Sequence, residues 1–228
     1  VLRWQLPITP DAAKEYMNIL VGLGLAGVIY GSIVALRQRD IKKLMAYSSL
    51  AHVGLIAAGA YALNIDGLRG AVLQMLAHGF VVVGLFFAAE VIFRRLNTRE
   101  ISEMGGIRVQ APAFASMYMV LVFASISLPL TFNFIGEFTV LYALYQTNIW
   151  FAIVGGLTII LSAYYMLKLY QHSMLGETNK ISFKDVSFSE GLVFVIIIGL
   201  LLFFGLYPKP LTDLITPSLE AIINQINR

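Results

Sequence analysis

Apolar residues run almost unbroken over six stretches of the chain, at about 16–36, 43–63, 68–93, 112–147, 149–171 and 190–206, with polar clusters between them. A hydrocarbon layer of about 30 Å, climbed at about 1.5 Å per residue, needs about 20 residues of helix, and most of these stretches reach that length. The last sits at the lower limit. Continuous apolarity favours helices over barrel strands, which would alternate in pieces of about 10 residues. The pattern predicts an all-α fold, a polytopic transmembrane bundle of six spans forming one domain over 1–228.

The fourth stretch, 36 residues long, exceeds one straight span and contains "LPLTFNFIGEF" at 128–138. Pro129 removes a backbone donor and Gly136 weakens the turn, so a broken helix is expected, with unpaired backbone groups at membrane depth. Such unwinding is tolerated only where the backbone is buried in protein or lines water. In the tail, Leu211, Leu214, Leu219, Ile222 and Ile226 recur at helical spacing. They predict an amphipathic helix over 211–228, on the outer surface or against a neighbouring subunit.

Composition agrees: 58% of residues are hydrophobic and 13% charged, with mean hydropathy +0.78, against roughly 25% charge in soluble domains. The chain reads as an integral, multi-pass membrane protein with the lipid bilayer as its surroundings. Having no cysteine, it excludes disulfides and thiolate-held iron–sulfur or zinc sites, so no cofactor is expected in it. The opening "VLRWQLPITPDAAKEY" shows neither a basic n-region nor a cleavage site, and reads as a break in a longer protein.

Basic residues set the orientation. Arg37, Arg39, Lys42, Lys43, Arg94, Arg95, Arg99, Arg108, Lys168, Lys180 and Lys184 fall on one side of the alternating spans, and Arg3, Lys14, Arg69, Lys209 and Arg228 on the other. The richer side is assigned to the inside, which leaves both ends outside. A net charge of +3, with acids such as Glu100, Glu103 and Asp185 interspersed, calls for no nucleic-acid partner.

"GLGLAG" at 22–27 matches the dinucleotide pattern G-x-G-x-x-G, but its glycines lie within an apolar helix rather than after a strand. Gly22, Gly24 and Gly27 are expected instead to let two membrane helices approach closely.

Titratable groups in lipid cost about 2.5–3.5 kcal/mol each on insertion scales, so each needs a reason. His52, His78 and Glu137 fall near one level of the membrane, and each has a polar residue one turn earlier: Ser48, Gln74 and Asn133. Positions four apart share a helix face, so three segments present hydrogen-bonding pairs at similar depth. A single histidine of this kind can merely glue two helices; the recurrence points to a hydrated proton relay, with Glu137 beside the break as its centre. A structural salt bridge is the alternative for Glu137. Lys42 and Lys43 read either as inner anchors, with Asp40 as counter-ion, or as part of that track. Lys168 and His172 read as snorkelling anchors, and Glu90 as the partner of Arg94.

"RQRDIKKLMAYSSLAHVGLI", "GAVLQMLAHGFVVVGLFF" and "LPLTFNFIGEF" together resemble the antiporter-like membrane subunits of respiratory complex I, over nearly the whole chain. The resemblance implies a proton pathway through Lys42 of "DIK", His52 of "AHVG", where the family has serine before the histidine, His78 of "AHG" and Glu137 of "GEF". It implies a non-catalytic, proton-translocating subunit of an NADH:quinone oxidoreductase, in a bacterial plasma membrane or mitochondrial inner membrane, whose redox chemistry belongs to other subunits. Family members have two inverted repeats, each with a broken helix, and this chain resembles only the C-terminal portion. The expected partners are therefore the other membrane-arm subunits and the missing N-terminal half, with this chain as the exit side of a channel. Sodium/proton antiporter subunits share these residues and are the rival reading.

Overall fold

The computed structural model describes residues 1–177 and 182–226; Lys180 and Arg228, counted above for orientation, lie outside them. Two short helices, α1 (Gln5–Ile8) and α2 (Pro10–Glu15), precede α3 (Met17–Leu36), α4 (Ile41–Tyr61) and α5 (Ile65–Leu96). A short α6 (Ile107–Gln110) leads into α7 (Pro112–Ser125) and α8 (Phe132–Thr147), followed by α9 (Ile149–Met174), α10 (Phe188–Leu206) and α11 (Lys209–Ile226). Among the described residues five helices, α3, α4, α5, α9 and α10, are long and apolar enough to cross a membrane; α7 and α8 are the two pieces of the long fourth stretch.

Local chemistry starts and stops these helices where the apolar runs do. The Asp40 carboxylate accepts from the backbone N–H of Lys42 and Lys43 at 2.8 and 3.0 Å, capping α4. Asp40 is thus spent on the backbone and not on the lysine ammonium groups, contrary to the expected counter-ion role. Asn64 caps α5 through the Gly67 N–H at 2.7 Å, and Asn97, at φ 54, ends it in the left-handed conformation. Ser187 and Glu190 form a capping box at the start of α10. Asp185 reaches across to α7, where it accepts from the N–H groups of Ala113 and Phe114 at 3.0 and 2.9 Å.

Helices α3 and α4 pack closely through small residues. A Cβ on Gly24 would stand 2.8 Å from the Gly54 carbonyl oxygen, and one on Gly54 2.9 Å from the Val28 nitrogen. Gly22 faces open space. The glycine-rich stretch is therefore a helix-packing surface, with Gly24 as the critical position.

The interruption between α7 and α8 covers residues 126–131, where Ser127 and Leu130 hold positive φ of 56 and 81°. Its backbone is largely rewired rather than left unpaired: Ser127, Leu128 and Thr131 donate to the carbonyls of Ala124, Phe123 and Leu128 at 3.1–3.2 Å, and the Thr131 hydroxyl donates to Leu128 at 2.7 Å. Pro129 lies exposed within this turn, where its missing donor costs nothing. Gly136, by contrast, sits inside α8 and plays no part in the break.

Buried apolar residues form two main clusters. One, toward the basic end, gathers Met45, Ile92, Phe114, Tyr118, Leu121 and Met166. The other, toward the opposite end, holds Leu25, Leu55, Leu68, Val140, Leu144 and Leu219. Leu219 and Ile226 bring α11 into the second cluster, while Gln225 donates to the Pro7 carbonyl at 3.1 Å.

Candidate functional site

Helices α4, α5 and α8 meet around four polar side chains that are almost wholly enclosed: His52 and Glu137 are 1% exposed, Gln74 and Asn133 0%. His52 Nδ1 lies 2.7 Å from Glu137 Oε1, and the Gln74 amide donates to the same oxygen at 3.4 Å. The approach depends on Gly136, because a Cβ there would fall 2.7 Å from Gln74 Cα and 2.8 Å from its nitrogen. The glycine before the glutamate is thus a packing residue that lets α5 lie directly on α8.

The carboxylate's partner decides what it can do. A guanidinium or ammonium would hold Glu137 permanently ionised; a histidine can itself gain and lose a proton near neutral pH. Among the described residues, no lysine or arginine pairs with Glu137. The remaining polar atoms His52 Nε2, Glu137 Oε2, Gln74 Oε1, both nitrogens of His78 and the Asn133 amide have no protein partner among the described residues. Buried polar groups in that state carry a desolvation cost, which marks the site as something other than optimised packing.

His78 stands beside His52 with ring centroids 5.0 Å apart and planes tilted by 37°. Both rings, with Ser48, Ser49 and Ser125, line a cavity of about 10 Å³, roughly the room one water molecule needs. The Ser48 hydroxyl lies 2.9 Å from the Tyr165 hydroxyl of α9.

Of the residues named from the sequence, His52, Gln74, His78 and Glu137 do come together, while Asn133 is buried one turn before Glu137 on α8 with its amide unbonded among the described residues. Their bonding partners come from neighbouring helices. Gln74 reaches Glu137 rather than His78, and Ser48 reaches Tyr165 rather than His52. Tyr165 was missed because a tyrosine in an apolar helix looks like any core aromatic. Lys42 stays apart, about 15 Å along α4 from His52 at ten residues' rise. Its ammonium lies 2.8 Å from Glu90 Oε2, and Arg94 Nε donates to Glu90 Oε1 at 3.0 Å, giving an ion cluster at the basic end. Lys168 and His172 also sit there, His172 Nδ1 lying 2.8 Å from the Lys168 carbonyl oxygen. No group of three or more His, Asp or Glu residues able to hold a metal ion occurs among the described residues.

Residues 1–162 match the family described as NADH:quinone oxidoreductase/Mrp antiporter, transmembrane. The chain is 40% identical to NADH-quinone oxidoreductase subunit M of Rhodobacter capsulatus, across 97% of its own length and 44% of that protein's. With the same subunit of Rickettsia bellii the identity is 39%, over 97% and 46%. The chain thus spans less than half the length of these curated relatives. Among solved structures, respiratory complex I from Thermus thermophilus with bound NADH contains a similar chain, with TM-score 0.94, 29% identity and 99% and 48% coverage. The Mrp complex from Dietzia sp. DQ12-45-1b shares the fold, with TM-score 0.85 at 16% identity and 92% and 49% coverage. These are multi-subunit assemblies, and the apolar helices make this chain an integral, multi-pass membrane protein.

Proposed function

Because this chain belongs to the NADH:quinone oxidoreductase/Mrp antiporter transmembrane family, we propose that it serves as part of a proton-translocating membrane-arm subunit of an NADH:quinone oxidoreductase. Electrons pass through other subunits, which hold the redox groups. Its partners are the other membrane-arm subunits and the N-terminal half of the same antiporter-like unit, in a bacterial plasma membrane or mitochondrial inner membrane. The unit acts as one bundle, with α11 as an amphipathic helix along its outer surface.

One observation carries this reading: a carboxylate sealed inside the bundle and bonded to a histidine, with no lysine or arginine partner among the described residues. His52 Nδ1 and Glu137 Oε1 lie 2.7 Å apart, near enough for a proton to pass directly between them, and in this reading a change of charge nearby drives that transfer. In a low-dielectric interior such a change is felt far more strongly than in water. Gln74 steadies the carboxylate, while His78 and Asn133 present partnerless polar atoms through which a proton reaches or leaves the pair. Lys42, bonded to Glu90, is the charge at the inner end whose pairing responds to the adjoining half.

A sodium/proton antiporter subunit is the second reading. It draws on a shared fold at 16% identity, whereas relatives named subunit M stand at 40%, which favours the respiratory role. Glu137→Gln in the assembled complex decides between a proton carrier and a scaffold. Assembly and NADH oxidation should survive while proton translocation into vesicles falls sharply; unchanged translocation in the assembled variant rejects the role.

A further inference from the structure

At the basic end of the bundle, away from the His52–Glu137 pair, the ends of three helices leave a cleft. Arg37 and Arg39 from the turn after α3, Glu100 from the turn after α5, and Lys168 and His172 from the end of α9 line a cavity of about 340 Å³, which apolar side chains of α3, α4 and α9 complete. Its rim is tied together by the backbone: the Ile101 N–H donates to the Arg39 carbonyl at 2.8 Å, and the Ile41 N–H to the Arg99 carbonyl at 3.0 Å. Three permanent cations thus face the one carboxylate of Glu100. Among the described residues, none of Arg37, Arg39 and Lys168 forms an ion pair, whereas Lys42, Arg94 and Arg95 nearby all do.

A second cavity, of about 380 Å³, adjoins the first along α9 and shares Lys168 and His172 with it. Its other walls include Tyr164 and Leu167, which are 59 and 40% exposed, and the Lys168 ammonium lies 5.7 Å from the centre of the Tyr164 ring. From there an exposed apolar strip runs on toward mid-membrane through Ile160 and Leu157. Charge at the rim and apolar surface below it match the two ends of one kind of molecule.

We propose that the two cavities form a binding site for an anionic phospholipid, its phosphate held by Arg37, Arg39 and Lys168 and its acyl chains laid along the exposed face of α9. Basic pockets between helices on the inner side of a membrane attract acidic headgroups, and the guanidinium fork matches phosphate oxygens two at a time. A zwitterionic headgroup would bring its own ammonium against three unpaired cations, so the site selects for net negative charge. A free anion would use only the first cavity, and an acidic protein segment would leave the strip on α9 uncovered.

The test places the assembled complex in phosphatidylcholine vesicles containing a small fraction of phosphatidylglycerol with a photoactivatable acyl chain, and reads by mass spectrometry the label on α9 from Leu157 to Lys168. Label should be several-fold greater than with the same acyl chain on phosphatidylcholine. Arg37→Gln and Lys168→Gln should each lower the anionic labelling about fivefold, the effect of one charge at an anionic membrane surface, and leave the zwitterionic labelling unchanged. Both side chains are exposed, so assembly should survive; Arg39→Gln repeats the measurement should either variant fail. Arg108→Gln, which removes an exposed cation outside both cavities, should change neither labelling. Equal labelling by the two lipids, or an equal fall in Arg108→Gln, overturns the site. Displacement of the label by millimolar inorganic phosphate makes the cavity a free-anion site and overturns the lipid, as does cross-linking of this face of α9 to another subunit in place of lipid.

Discussion

His52 and Glu137 are 85 residues apart in the chain and belong to helices α4 and α8, yet their side chains meet at 2.7 Å with neither open to solvent. Residues that act as one unit lose function together, so their substitutions do not add. His52→Ala and Glu137→Gln should each depress proton translocation in the assembled complex, and the double variant should fall no further than the more severe single. A fully multiplicative loss would show that the two act on separate routes.

Gly136 sets how closely α5 approaches this pair. A methyl group there would press on the Gln74 backbone at 2.7 Å, which no side-chain rotation relieves. Gly136→Ala should therefore destabilise the subunit by about 1–3 kcal/mol, the usual cost of overpacking. Gly156→Ala in α9, where a Cβ meets nothing within 4 Å, is the matched control and should be harmless. Thermal stability of the detergent-solubilised complex measures both.

The same comparison applies to the glycine-rich stretch of α3. Gly24→Ala should push α3 off α4, because its Cβ would lie 2.8 Å from the Gly54 carbonyl oxygen; Gly22→Ala should not, since it faces open space. The yield of assembled complex should separate the two variants. Equal yields would mean that the contact at Gly24 is not needed.

Asp185 supplies a pH-dependent clamp at the basic face. Burial alone would raise its carboxyl, but the N–H groups of Phe114, Val186 and Ala113 and the nearby Arg95 outweigh this and hold it below its ordinary value. A carboxyl lowered in the folded state contributes stability that is present above its unfolded pKa, about 3.9, and is lost as pH falls through the folded value. Asp185→Ala should thus cost about 1 kcal/mol near neutrality, in line with loss of a side-chain acceptor at a helix start, and should flatten the acid limb of a stability–pH profile.

Much of the fold was legible along the chain because lipid enforces local accounting. Without water to satisfy backbone groups, each span must close its own hydrogen bonds, and six apolar runs announced five long helices and one broken pair. The residues of the polar centre were legible for a related reason, since a histidine or carboxylate at that depth stands out against its neighbours. Tyr165 does not stand out in this way, and Gly136, which reads from the sequence as part of the break, lies one turn beyond it.

Which segments cross, which residues are costly in lipid, and where the fourth span is interrupted can all be read along the chain, since these follow from composition counted residue by residue. That Gln74 serves Glu137, that Ser48 turns to Tyr165, and that Lys42 belongs to Glu90 emerges from the packed helices alone. Each of those pairings depends on how far one helix is rotated and how closely it lies against another, and that is settled by backbone contacts at glycines such as Gly24, Gly54 and Gly136, which periodicity does not record.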